Sequence, residues 1–231
     1  MSVLCIRAGF DTPGKKDVAH AFLPEANAFA EACGGGVVHA FDNREGMAKR
    51  RTEVLSILAG EGNDGDYYDA VAFFCHGWPT GIQAGFRKRD CAVLADAIRA
   101  CFRVNSDPDV PSPLVALYCC STGDDPQDSP KEAAGTGDGS FADALRDALC
   151  AAGSVDVRVV AHTTAGHATR NPHVKFFDGM GSSMGGVGGY APVTPSHKKL
   201  WPKWRRALQK TDLRFRMPRM SVADIHAELM R

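Results

Sequence analysis

Apolar residues fall along this chain in two alternating textures. Short runs without polar interruption alternate with longer stretches in which apolar positions recur every three or four residues. The first texture reads as strands buried on both faces, the second as amphipathic helices. Val3 to Ala8 is the first strand, and Gly9 to Lys16 is a turn-rich loop. Asp17 caps a helix from Val18 to about Cys33, with Ala19, Phe22, Leu23, Ala26, Phe29 and Ala30 at helical spacing. Pro24 kinks that helix or delays its start. Gly34 to Gly36 ends it, and Val37 to Phe41 is a short second strand. Arg44 to Leu58 is a second helix with Val54, Leu55 and Leu58 inward, followed by a polar turn from Gly60 to Asp66.

The third strand is Ala70 to Cys75, with a small hairpin or loop at Gly81 to Phe86. Cys91 to Phe102 is a third helix with Val93, Leu94, Ala97, Ile98 and Cys101 on one face. A proline-rich connection leads to the fourth strand at Leu114. Asp124 to Gly139 is dense in Pro, Gly and acid and reads as a mobile linker. Ser140 caps a helix from Phe141 to Ala152, Asp156 to Ala161 is a fifth strand, and Val174 to Phe177 is a sixth. Strands alternating with helices in this order predict an α/β fold: a three-layer sandwich whose mainly parallel sheet of about six strands carries helices on both faces. The organisation expected is one domain over 1–195 and a basic extension over 196–231.

Composition narrows the class. The chain has 231 residues, 44% of them hydrophobic, enough for a full core. Its 27 basic and 27 acidic residues cancel, which removes any global pull toward nucleic acid or membrane. No apolar run nears the roughly 20 residues of a membrane span. Met1 to Ile6 lacks the basic region and long apolar segment of a signal peptide, so a cytoplasmic setting is expected. The eight cysteines are scattered without C-x-x-C spacing, which argues against a disulfide framework and against structural zinc. Most are expected to pack as small hydrophobes in a reducing compartment. Lys198 to Arg219 carries nine Lys and Arg against Asp212 alone. It reads as a solvated or acid-paired helix, with docking of a regulatory protein partner or an anionic surface left open.

Two strand ends carry the candidate chemistry. The third strand runs into His76-Gly77, and the fourth runs through Tyr118-Cys119 to Cys120, Ser121, Thr122 and Gly123. Sheets of this kind place their chemistry past the carboxyl ends of the strands. A Cys and a His delivered there side by side supply a thiol nucleophile and its proton acceptor. Cys119 and Cys75 alternate to the opposite face and are expected in the core.

These ends resemble those of the caspase-like cysteine peptidases, the group of caspases, metacaspases and related bacterial enzymes. There one strand ends in His-Gly and the next in the nucleophilic cysteine, with the histidine roughly 50 residues upstream; here Cys120 follows His76 by 44 residues. Leu117 to Gly123 is similar to the metacaspase strand and Ser-Gly turn. Ala161 to Asn171 resembles the caspase segment that lines the substrate cleft, with Thr169 in place of its tryptophan. The resemblance spans about residues 1–180. It implies Cys120 as nucleophile, His76 as proton carrier, and the amides of Gly77 and Cys120 as oxyanion donors. It further implies Arg170 and Asn171 as substrate-binding residues, with Tyr118 lining the pocket. Tyr118 is neither acidic nor an amide, so no cleavage preference carries over. A protein or peptide substrate, no required cofactor and cleavage of the 124–139 loop on activation also follow. Asp124, Asp125 and Asp128 fit either a solvated loop or a calcium site of the kind some metacaspases carry.

Two other readings stay open. One is a non-catalytic binding or scaffold module on the same fold. The other is an α/β-hydrolase, since Gly181 to Gly185 satisfies G-x-S-x-G around Ser183. That serine should sit between a strand and a helix, and Gly185 to Gly189 is a poor helix. The histidines at 162, 167 and 173 are too loosely spaced for a metal site.

Overall fold

A computed structural model describes residues 2–10, 22–63, 67–102, 113–124, 139–151, 157–162, 175–178 and 186–188. Five parallel strands form the centre: β1 (Val3–Ala8), β2 (Gly36–Phe41), β3 (Ala70–Phe74), β7 (Leu114–Tyr118) and β8 (Arg158–Ala161). Their order is β2-β1-β3-β7-β8, extended by antiparallel β9 (Lys175–Asp178) and β10 (Gly186–Gly188). Among the described residues the sheet thus has seven strands, against the expected six or so. The three residues of β10 contain two glycines, so no side-chain alternation marks them in the sequence. A second sheet is a small meander of β4 (Gly77–Trp78), β5 (Gly81–Ile82) and β6 (Phe86–Arg87).

Helices lie on both faces of the large sheet. Helices α2 (Met47–Asn63), α3 (Cys91–Ala100) and α4 (Phe141–Cys150) pack on the face of Leu4, Ile6, Val71, Phe73, Val115 and Leu117. Helix α1 (Phe22–Ala32) packs on the face of Val3, Cys5, Ala72, Phe74 and Ala116. Pro24 falls in the first turn of α1, where its missing amide hydrogen has no partner to lose, so the proline sits at the start of the described helix and does not break it. In α3 the buried set is Cys91, Leu94, Ala95 and Ile98, at helical spacing. Val93 lies off that stripe and is exposed, as is Leu23 on α1. Both correct the expectation that they face inward: hydrophobicity alone had selected them.

The expected turn at Gly60 to Asp66 is also corrected, because α2 continues to Asn63. The contacts that hold this last turn are tertiary. Glu61 accepts hydrogen bonds from the Tyr68 hydroxyl and the His39 ring, and Gly62 lies so close to α3 that an added Cβ would stand 3.2 Å from the Ala100 carbonyl. Burial works to raise the Glu61 carboxyl, but the Tyr68 and His39 hydrogen bonds outweigh it and hold it below its ordinary value. A lowered carboxylate stabilises the fold above its unfolded value and loses that contribution as pH falls through the folded one. Glu61→Gln should therefore cost about 1 kcal/mol near neutral pH. Urea titrations at falling pH should show the gap from wild type closing.

Candidate active site

Strands β3 and β7 are parallel neighbours, paired Ala70 with Leu114 through Phe74 with Tyr118. Alternation sends successive side chains to opposite faces, and the layers can be read upward from that last pair. The Phe74 and Tyr118 rings stack on the α1 face at 4.9 Å and 6°. One step on, Cys75 and Cys119 turn to the other face. Their sulfurs lie 3.5 Å apart, and the residues are 1% and 0% exposed. Burial pushes the Cys119 thiol well up, so it is held as a neutral thiol. The core placement expected of both is what the structure has.

His76 and Cys120 each follow two residues after the last pair of the ladder, Phe74 with Tyr118, just past the two strand ends. Neighbouring strands are spaced about 4.8 Å apart. The His76 ring meets the edge of Phe22 at the start of α1, with centroids 5.2 Å apart and planes at 89°. Cys120 is half-buried, whereas the other seven cysteines are buried.

Gly77 joins the two loops. A Cβ built there would stand 2.7 Å from the Cys119 Cβ, 2.7 Å from the Thr122 Cγ2 and 2.9 Å from the Cys120 carbonyl oxygen. Only glycine lets the His76 loop lie this close to the cysteine loop.

The cysteine loop is held from several sides. Ser121, directly after Cys120, has φ +53°, a left-handed conformation uncommon for a side chain other than glycine. The Thr122 hydroxyl donates to the Cys119 carbonyl at 3.0 Å. The Gly123 amide donates to the His162 carbonyl at 2.8 Å, and the Asp124 amide to the Ser121 carbonyl at 3.1 Å. Helix α4 closes over both loops. Its first amides, of Phe141 and Ala142, donate to Pro79 and Thr122, each at 2.9 Å. Ser140 caps the same turn by accepting from the Asp143 amide at 3.1 Å, as its sequence position predicts.

Tyr118 is half-buried in an aromatic group. Besides the Phe74 stack it meets Phe29 and His162 edge-on, with centroids at 5.5 and 5.6 Å. Burial pushes its hydroxyl well up. His162 is 1% exposed at the end of β8, beside Tyr118. Arg170, Asn171, Ser183, His167, His173, Asp125 and Asp128 lie outside the described residues, as do the whole of 196–231 and nearly all of the 124–139 linker. The described strand after Ser183 starts at Gly186, where an elbow serine calls for a helix. Among the described residues no three metal-binding side chains gather, and no helix is long and apolar enough to cross a membrane.

Sequence reasoning missed Phe22, Gln83 and Thr122 as neighbours of these two loops. Gln83 had one signal, as the only amide side chain in a hairpin of Gly, Ile, Ala and Phe. No family model matches the chain, and no curated protein or solved structure shows significant similarity to it.

Proposed function

We propose that this protein is a cysteine endopeptidase with a caspase-like sandwich fold, acting through Cys120 and His76. The observation that supports the reading is that adjacent parallel strands β3 and β7 end in register, Phe74 opposite Tyr118, two residues before His76 and Cys120 respectively. Cys120 as thiolate attacks a peptide carbonyl, and the carbonyl π electrons move to oxygen. The Gly77 and Cys120 amides are the donors assigned to that oxyanion, each such donor typically worth about 3 kcal/mol in the transition state. His76 protonates the leaving amine as the C–N bond breaks, which leaves a thioester. It then takes a proton from water, whose oxygen attacks the thioester and returns the Cys120 thiolate. In this reading an imidazolium beside the thiol favours that thiolate.

Iodoacetamide tests the reading directly. Treatment near neutral pH is expected to alkylate Cys120 first among the eight cysteines, because the other seven are buried. One alkyl group per chain, mapped to Cys120 by mass spectrometry, should end cleavage of a mixed peptide library. Cleavage that survives complete Cys120 alkylation would remove the proposal. Absence of cleavage before and after limited proteolysis, with and without calcium, would leave the scaffold reading in its place.

A further inference from the structure

We infer that Gln83 is a positioning residue for His76, an inference that rests on the Cys120/His76 reading. Gln83 grips the His76 backbone at both ends. The His76 amide donates to the Gln83 Oε1 at 3.2 Å, and the Gln83 amide donates to the His76 carbonyl at 2.8 Å.

The gripping residue is itself fixed. Gln83 follows β5 directly, and its neighbours Ile82, Ala84 and Phe86 are each 0% exposed within the core. The hairpin is therefore a rigid template, and the histidine loop is laid against it. The chemistry also settles which way the carboxamide points. A backbone N–H can only donate, so the oxygen of Gln83 faces His76 and the NH₂ group faces away. What His76 needs from position 83 is an acceptor of this length, not a donor.

This opposite face of the loop matters because the other side is already taken. Gly77 lies against Cys119, Cys120 and Thr122. The His76-Gly77 peptide is thus held between the Gln83 hairpin and the cysteine loop. Loss of the Gln83 acceptor frees the amide end of His76 while the cysteine loop stays in place. The imidazole would then lose the support that fixes its position past the end of β3.

Two variants of equal length separate this role from simple packing. Gln83→Met keeps the chain length and the backbone bond but has no oxygen acceptor. Gln83→Glu keeps an oxygen acceptor and loses the NH₂ donor, with an added negative charge that a salt titration of the alkylation rate separates from the loss of the donor. Gln83→Met is expected to lower kcat about tenfold with KM little changed, since small misplacements of a catalytic group are costly. It should also reduce the His76-dependent part of the Cys120 alkylation rate near pH 6, while Gln83→Glu retains that part. Equal losses in both variants, or a rise in KM alone, would overturn the positioning role and assign a substrate donor instead. Alkylation keeps the two readings apart, because it needs no peptide substrate. A profile that His76→Ala leaves unchanged removes the dyad itself. A His76-dependent profile untouched by Gln83→Met removes only the role of Gln83.

Discussion

Cys120→Ala is expected to end peptide cleavage altogether, and His76→Ala to lower it by about a thousandfold, the usual reach of a positioned proton carrier. Both side chains sit past the strand ends and are only half-buried. Their removal leaves no large cavity, so unfolding free energies should stay within about 0.5 kcal/mol of wild type. Loss of activity would then be loss of chemistry. The two variants also differ in what they leave behind. Cys120→Ala removes the main site of alkylation. His76→Ala keeps the thiol but removes the partner that the proposed dyad assigns to it, so alkylation should slow near pH 6 and recover as pH rises toward the ordinary thiol range of about 8.5. Cleavage retained by Cys120→Ala would exclude a thiol nucleophile at this position. Cleavage and alkylation both unaffected in His76→Ala would show two neighbours without a working relation.

The two strand ends were legible because burial on both faces leaves a strong trace. Ala70 to Phe74 and Leu114 to Leu117 are apolar at every position and buried at every position. Period-two alternation then assigned Cys75 and Cys119 to the core before any coordinates were needed. What stayed hidden was of a different kind. Val93 and Leu23 are apolar yet exposed, and only the full i, i+3, i+4, i+7 set identifies the buried stripe. The last turn of α2 carries two glycines, which read locally as a break; its anchors, Tyr68, His39 and Ala100, are on other elements. The Gln83 carboxamide and the Thr122 hydroxyl bond to backbone groups of their neighbours, and a bond whose partner is backbone leaves little mark on composition. Strand interiors were therefore readable, while the supports of the candidate site were not. Arg170 and Asn171 lie outside the described residues and remain expectations of the family resemblance.

Gly77→Ala is the single substitution expected to disturb the candidate site most without removing a reacting group. Its methyl would fall within 3.0 Å of three atoms at once: the Cys119 Cβ, the Thr122 Cγ2 and the Cys120 carbonyl oxygen. None of these is the tip of a flexible side chain, so relief requires backbone movement. The loops on both sides resist it. Thr122 and Gly123 are tied to α4 and to the end of β8, and His76 is tied to Gln83. The strain is expected to appear in two places. Overpacking of this kind typically costs about 1–3 kcal/mol, visible as a lower unfolding midpoint. The separation of the His76 and Cys120 loops should shift as well, and a displacement near 1 Å costs about a hundredfold in rate. Gly60 provides the control. It lies inside α2 with nothing within 4 Å of an added Cβ, so Gly60→Ala should be neutral in activity and stabilising by up to about 1 kcal/mol through helix propensity alone. Full activity and unchanged stability in Gly77→Ala would mean that the two loops are not pressed together, and the close approach on which the proposed dyad rests would be gone.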